Sequence, residues 1–455
     1  MRRLFMNRLA LGGFGRANGA AAILYALVAA AIGISITYEP LFAAIAVIGT
    51  AVLLLSVLSP ERISYVFLVL AAISIQYLNE AEVMGMDLLS LHKLGILLLF
   101  IPAAMRYGIN VKHTVPVVAF AVMLGSTYFL ADTPPVLGTI DPIIAFIGLS
   151  SPFMLLVVRW PKHVAAMQVN IICLLPLVSV VVGILLEIGG IHSLFDREFT
   201  GAIRLAGANI PPHLAFLAFM AFMVSIIEAK RRPDKLVYYY MMMSVNFLIL
   251  LLTGTRGALV SAILMIFIYV YDLSKQFLKG KTALIIPLFG FAVVLATSVW
   301  LQLDNLKKRS FEHSTEAGVD LSGRLEAWDF FLKGAEASPW FGKGLGAALV
   351  ANDGSLFEGF VVPHNEYIRF YYDGGIIGAV LLFASILYLL RKVYRASAKE
   401  VRLYVAALMI GFLIYSISDN TLSTLQFILP FCIYLNASSI LPGHDKEKSA
   451  KEENR

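Results

Sequence analysis

Cysteine is scarce in this chain: two residues in 455, Cys173 and Cys432, both inside apolar runs. Neither reads as a disulfide partner or a metal ligand, and the redox compartment stays open. Charge is also sparse. Asp, Glu, Lys and Arg make up 15% of the residues against 59% hydrophobic, and mean hydropathy is +0.80. A water-soluble protein of this length cannot hide so much apolar surface, so the solvent must be lipid. No Gly-rich phosphate loop occurs, which leaves nucleotide-driven work without support. Neither an internal repeat nor an inverted pair of broken helices is present, and secondary transporters commonly show both. The one long polar segment contains no Asp-x-Asp pair, so no metal site and no cofactor are expected. Glu80-Ala-Glu82, in an earlier loop, reads as a polar turn.

What the chain does contain is apolar runs punctuated by basic loops. The net charge of +6 collects in short clusters: Arg2 to Arg16; Arg106 and Lys112; Arg159 and Lys162; Lys230 to Lys235; Lys275 to Lys281; Arg391 to Arg402. These fall in alternate loops, the positive-inside pattern, so the charge sets topology and gives no reason to invoke nucleic acid. Spans of about 20 apolar residues are predicted near 19–38, 41–58, 63–78, 88–105, 114–131, 141–158, 163–188, 209–229, 236–252, 255–272, 282–302, 373–392, 403–419 and 421–441. The basic start is read as an uncleaved anchor, because a second apolar run follows closely after Glu39-Pro40. The expected architecture is an all-α polytopic membrane protein of about 12–14 transmembrane helices. Its parts are a bundle over 1–302, an outer polar loop over 303–372, further spans over 373–441 and a disordered cytoplasmic tail over 442–455. Both termini are expected in the cytoplasm, and the loop is then periplasmic in a bacterium. Within the loop, residues 322–337 predict a helix with Leu325, Trp328, Phe331, Leu332 and Ala335 on one face, lying either in the membrane interface or against the bundle.

Four arginines stand on the side that topology disfavours: Arg204 before a span, Arg256 at the mouth of another, and Arg324 and Arg369 in the polar loop. Snorkelling or a surface ion pair is the plain account of each. The sharper one applies best to Arg204 and Arg256, which lie close to glycines that permit near backbone approach. A guanidinium fork matches phosphate oxygens and stays charged, so two or three converging would clamp a diphosphate. Lys307-Lys308-Arg309 reads as a solvated or headgroup-facing stretch. His364 follows a stiffening Pro363, and Asn365 beside it supplies an orienting amide. Histidine titrates near neutrality and can take a proton from a sugar hydroxyl, though a lone histidine is more often structural. His313 has no comparable context.

At these residues the chain resembles the O-antigen ligase and polymerase superfamily of bacterial inner-membrane glycosyltransferases. Arg204-Leu205-Ala206-Gly207 with Asn209 and Pro211 resembles an Arg-x-x-Gly element, and Thr253-Gly254-Thr255-Arg256-Gly257 a Ser/Thr-Arg-Gly element. Gly323-Arg324 with Trp328, then Pro339 and Gly342–Gly346, resembles the opening of the large loop. His364-Asn365, followed by Gly375 and Gly378, is similar to the His-Asn…Gly-x-x-Gly pattern of the ligase and oligosaccharyltransferase branch. The resemblance covers about residues 200–380. It implies a GT-C-like fold and metal-independent, inverting transfer of a glycan from undecaprenyl diphosphate to a hydroxyl of lipid A-core oligosaccharide. It further implies Arg204 and Arg256 as the diphosphate clamp, with Arg324, Asn365 and Arg369 as further substrate contacts. His364 would be the base. A polymerase, a protein O-oligosaccharyltransferase and, from another class, a transporter of an anionic lipid-linked substrate are the alternatives.

Overall fold

The computed structural model describes residues 40–74, 88–198, 201–280, 324–352 and 361–443, with single positions between 289 and 303. The expected span at 19–38, most of that at 282–302, Glu80-Ala-Glu82, Lys307-Lys308-Arg309, His313 and the tail from His444 lie outside these residues. The described chain is helical: α1 Pro40–Leu58, α2 Pro60–Leu70, α3 Leu88–Tyr107, α4 Val115–Phe129, α5 Asp141–Val157, α6 Lys162–Ile188, α7 Pro211–Arg231, α8 Leu236–Leu252, α9 Arg256–Leu278, α10 Arg324–Glu336, α11 Glu366–Ala396, α12 Arg402–Tyr415 and α13 Leu425–Ile440. One small antiparallel hairpin, β1 Phe195–Arg197 and β2 Ile203–Leu205, precedes α7. Among the described residues six helices are long and apolar enough to cross a membrane, and several shorter apolar helices accompany them. The chain is an all-α polytopic membrane protein.

Helix α7 is the axis of the bundle. It is apolar all round and buried along most of its length, as a helix enclosed by other helices must be. Around it pack α6, α8, α9, α12 and α13. Phe216 and Phe219 of α7 interleave with Tyr415 at the end of α12 and Phe427 of α13, with ring centroids 4.8–6.1 Å apart. These contacts lock one end of the bundle. At the opposite end the basic residues gather. Arg231 donates to Leu441 O at 2.9 Å, and Lys230 pairs with Asp272 at 2.6 Å.

Four predicted spans differ in a way that matters for the site. The span expected over 63–78 is α2, which starts at Pro60 and stops at Leu70. Proline at the first helical position sets the start. The chain then turns so that Ala72 O accepts from Asn209 Nδ2 and Ser74 N donates to Ala208 O. The span expected from 373 starts at Glu366, because Asn365 caps it by accepting from the amides of Tyr367 and Ile368. The spans expected over 403–419 and 421–441 end at Tyr415 and begin at Leu425, leaving a polar turn over 416–424.

Helix α10 packs on α11 through Ala327, Phe331 and Ala335, with Phe331 against Tyr372 at 5.2 Å. Leu325 and Leu332 point away and are exposed, so the apolar face is narrower than the pattern suggested and is spent on the bundle. Beyond α10 the chain wraps a kink in α11. Gly375 there is non-helical, with φ +62°, and the amides of Ile376 and Ile377 donate to Pro339 O and Trp340 O. Gly342 and Gly344, also at positive φ, face the same kink, and the amides of Lys343 and Gly344 donate to Tyr372 O and Asp373 O. A Cβ on Gly342 would stand 2.5 Å from the Gly375 nitrogen; one on Gly375 would stand 2.4 Å from the Trp340 carbonyl carbon. Alanine at either position is therefore expected to destabilise the protein by about 1–3 kcal/mol. A clear fall in the thermal midpoint of the purified protein in detergent would register it; an unchanged midpoint would contradict the packing.

Candidate functional site

Most of the residues singled out from sequence meet at the end of the bundle where α7, α9, α11 and α13 begin and α12 ends. Two loops come together first. Gly207, at φ +65°, lies against Ser179, and a Cβ on Gly183 of α6 would be 2.4 Å from the Gly207 carbonyl carbon. Asn209 then ties the loop down, donating to Ser179 Oγ and Ala72 O, both at 2.6 Å. This contact places β2, and with it Arg204, over the gap between α8 and α9.

Arg204 is nearly buried, at 7% exposure. Its Nε donates to Thr253 O at 2.7 Å and NH2 to Thr255 Oγ1 at 3.0 Å, while NH1 pairs with Glu198 at 3.3 Å. Arg204 is thus a strut that fixes the Thr253–Arg256 turn. Gly254, at φ +62°, lets that turn form. Arg256 is the first residue of α9, held at a helix N-terminus where backbone amides and the helix dipole also favour an anion. The next residue, Gly257, abuts the 416–424 turn: a Cβ there would be 2.4 Å from Ser418 Oγ.

The same turn receives His364. Its Nδ1 is 3.2 Å from Asp419 Oδ1 and 3.2 Å from Asn420 Nδ2. His364 has φ +47°, the one non-glycine residue at positive φ among those described. Strained backbone of this kind persists only where the surroundings dictate it. Here Trp328 Nε1 of α10 donates to Pro363 O at 2.7 Å, and the Glu366 amide donates to Ser416 O at 2.9 Å. The backbone is pinned on both sides of His364. Asn365, expected to orient His364 or a sugar, has its amide oxygen engaged in capping α11.

Hydropathy places Asp419 at the end of the span predicted over 403–419, where a carboxylate gives no signal of its own. Burial pushes its carboxyl up, but the hydrogen bond and charge of His364, the Asn420 amide and the Arg324 guanidinium outweigh that and hold it below the usual carboxylate range. An ionised carboxylate at Nδ1 selects the tautomer that donates to it and leaves Nε2 bare. Asn420 fits this if its amide oxygen, otherwise buried without a partner, is the end facing the ring. Arg324, at the start of α10, stands within electrostatic reach of both Asp419 and Tyr415.

The structure therefore brings Arg204, Arg256, Arg324 and His364 around one turn. Arg369 meets that turn from a different cleft, lined by Asn420, Ser423 and Thr424. Arg369 lies one turn into α11, buried beside Glu366, facing a cleft whose lining includes none of the other four. His213, in the first turn of α7, was also unremarked; its Nδ1 is 3.0 Å from Ser74 Oγ, and it feels the charges of Asp419 and His364. The available signal was the run Ser416-Ile417-Ser418-Asp419-Asn420-Thr421, five polar residues in six between two apolar helices.

A family model described as O-antigen ligase matches residues 241–383. The match takes in the Thr253–Arg256 turn, Arg324 and His364, and leaves Arg204 and Asp419 outside it. No curated protein matches the chain.

Proposed function

We propose, on the match of an O-antigen ligase family model to residues 241–383, that the protein transfers a glycan from undecaprenyl diphosphate to a hydroxyl of lipid A-core oligosaccharide, at the periplasmic face of a bacterial inner membrane. The observation that carries the reading is the pairing of His364 with Asp419 on the turn that also abuts the Arg256 helix terminus. A base and a cationic terminus on one turn suit a reaction in which a hydroxyl loses a proton while a diphosphate departs.

The acceptor oxygen forms the new bond to the anomeric carbon, and the bond from that carbon to the diphosphate oxygen breaks. His364 Nε2 takes the hydroxyl proton, and Asp419 stabilises the imidazolium that results. Negative charge grows on the departing diphosphate. Arg256, braced by Arg204 and joined by Arg324, is suited to hold that charge. Attack opposite the leaving group inverts the anomeric centre. None of these steps assigns a role to a metal, and transfer that persists in chelator is the expected result.

Arg256→Gln should lower transfer about 10–100-fold through loss of a charge-assisted contact, with the larger part of the loss in binding of the lipid-diphosphate donor. Steady-state rates at varied donor check this, and an unaltered donor dependence would remove Arg256 from the clamp. The assignment as a whole is tested with purified protein, an undecaprenyl-diphosphate glycan, and either lipid A-core or a Ser/Thr-bearing protein as acceptor. Product on lipid A-core alone supports the ligase. Product on protein alone makes it an oligosaccharyltransferase, and long carrier-linked chains with neither acceptor modified make it a polymerase.

A further inference from the structure

A cleft of about 430 Å³ opens between α3, α5 and the 416–424 turn. Most of its wall is aliphatic, from Leu89 and Leu94 of α3, Ile144 and Leu149 of α5, and Leu349 and Val350. Its polar end is built from Lys93, Arg369, Asn420 and Ser423. Arg369 is only 2% exposed, and its Nε is buried with no hydrogen-bond partner. Its ion-pair contact is a long one, NH1 to Glu366 Oε2 at 4.0 Å, and that oxygen also lacks a hydrogen bond. The other Glu366 oxygen is taken by the amides of Leu422 and Ser423. Buried guanidinium groups ordinarily fill their donor directions, so one left with an orphan nitrogen beside a cleft points to a ligand.

Lys93 converges on the same place from α3. Its side chain crosses α5 at Gly148, where an added Cβ would stand 3.4 Å from Nζ, and Nζ reaches Ser423 O at 3.4 Å. Asp141, also on the lining, is engaged at its own helix terminus, accepting from the Gly138 amide at 2.8 Å. Two cations from separate helices at the head of an aliphatic cleft fit an amphiphile with an anionic head, and phosphate matches the guanidinium fork.

We propose that this cleft is a second anion site, which holds the phosphate of a lipid substrate through Arg369 and Lys93 while the chain of that lipid lies on α3 and α5. It is separate from the Arg204–Arg256 terminus, yet it shares a wall with the base, because Asn420 lines the cleft and contacts His364. That two phosphate-bearing lipids meet across His364 rests on the transfer reading; that the cleft binds an anionic lipid does not. The phosphate comes either from the acceptor glycolipid or from the polyprenyl carrier.

Binding to the purified full-length chain in detergent separates these. The probes are a phosphorylated lipid A, its dephosphorylated counterpart and undecaprenyl phosphate, read by native mass spectrometry with Lys93→Gln, Arg369→Lys and Arg256→Gln. The expected result is that Lys93→Gln and Arg369→Lys weaken one phosphorylated lipid roughly 10-fold, leave the dephosphorylated lipid unchanged, and keep the wild-type thermal midpoint. Weakening of lipid A assigns the cleft to the acceptor, and weakening of undecaprenyl phosphate assigns it to the carrier. If Arg369→Lys does not fold, Lys93→Gln decides alone. Wild-type affinity for both phosphorylated lipids in folded variants overturns the proposal. These readouts hold whether or not transfer is observed, so failure of the anion site and failure of the transferase reading are told apart.

Discussion

Replacing His364 with asparagine is expected to lower the transfer rate about 10²–10⁴-fold while leaving donor binding within a few-fold of wild type. Asparagine is the informative substitution. The backbone at 364 is at φ +47°, and asparagine tolerates that region better than alanine or leucine, so the fold is retained while the imidazole is lost. Single-turnover transfer, measured beside equilibrium donor binding, gives the result. A transporter would lose little with this change. A variant that still transfers at near wild-type rate would mean that another group accepts the proton, and the reading of His364 as base would fall.

Asp419→Asn should give a loss of similar order, up to about 10⁴-fold, the size seen when the aspartate of a Ser–His–Asp triad becomes asparagine. The amide keeps the shape of the carboxylate but no longer fixes the proton on Nδ1, and it cannot stabilise an imidazolium. Because His364, the Asn420 amide and Arg324 hold Asp419 below the usual carboxylate range despite its burial, it remains charged throughout the weakly acidic region. The acid limb of the pH–rate profile should therefore not report Asp419, and it should shift or flatten in the asparagine variant. Asp419→Glu is expected to recover part of the rate. An unchanged profile together with full activity in Asp419→Asn would make the contact structural only.

How far the sequence foretold this arrangement varies from element to element, for physical reasons. Long apolar helices such as α6, α8 and α9 are legible from hydropathy because lipid demands an apolar exterior over a fixed length. Helix α11 is less so. Its first two turns carry Glu366, Arg369 and Asp373, all buried, and a hydropathy window reads such residues as loop. The same averaging hides Asp419, which falls at the end of the span over 403–419, and leaves Asn420 as a single residue between two spans. Arg204, Arg256, Arg324 and His364 could be singled out because charge on the disfavoured side of a membrane needs an explanation. Which of them share a turn could not be foreseen, since that depends on how α7, α9 and α11 cross. Arg369 shows the limit: its residue type and position suggested the same clamp, and packing sends it to a different cleft.

The glycines of the His-Asn…Gly-x-x-Gly pattern find their explanation in packing. Gly374 and Gly378 admit Met123 of α4, and Gly375 admits the backbone of Trp340. The mutual grip between Gly342 and Gly375 reaches beyond any single substitution. A Cβ on Gly342 would enter the backbone of Tyr372, Asp373 and Gly375, and one on Gly375 the backbone of Trp340 and Phe341, so the two segments are fitted to each other and the two positions are not free to vary independently. Among relatives that share this wrap, the pair should drift as a unit. Glycine at 342 and glycine at 375 would be kept together or lost together, with any loss accompanied by a change in the length of the segment between Ser338 and Ala347.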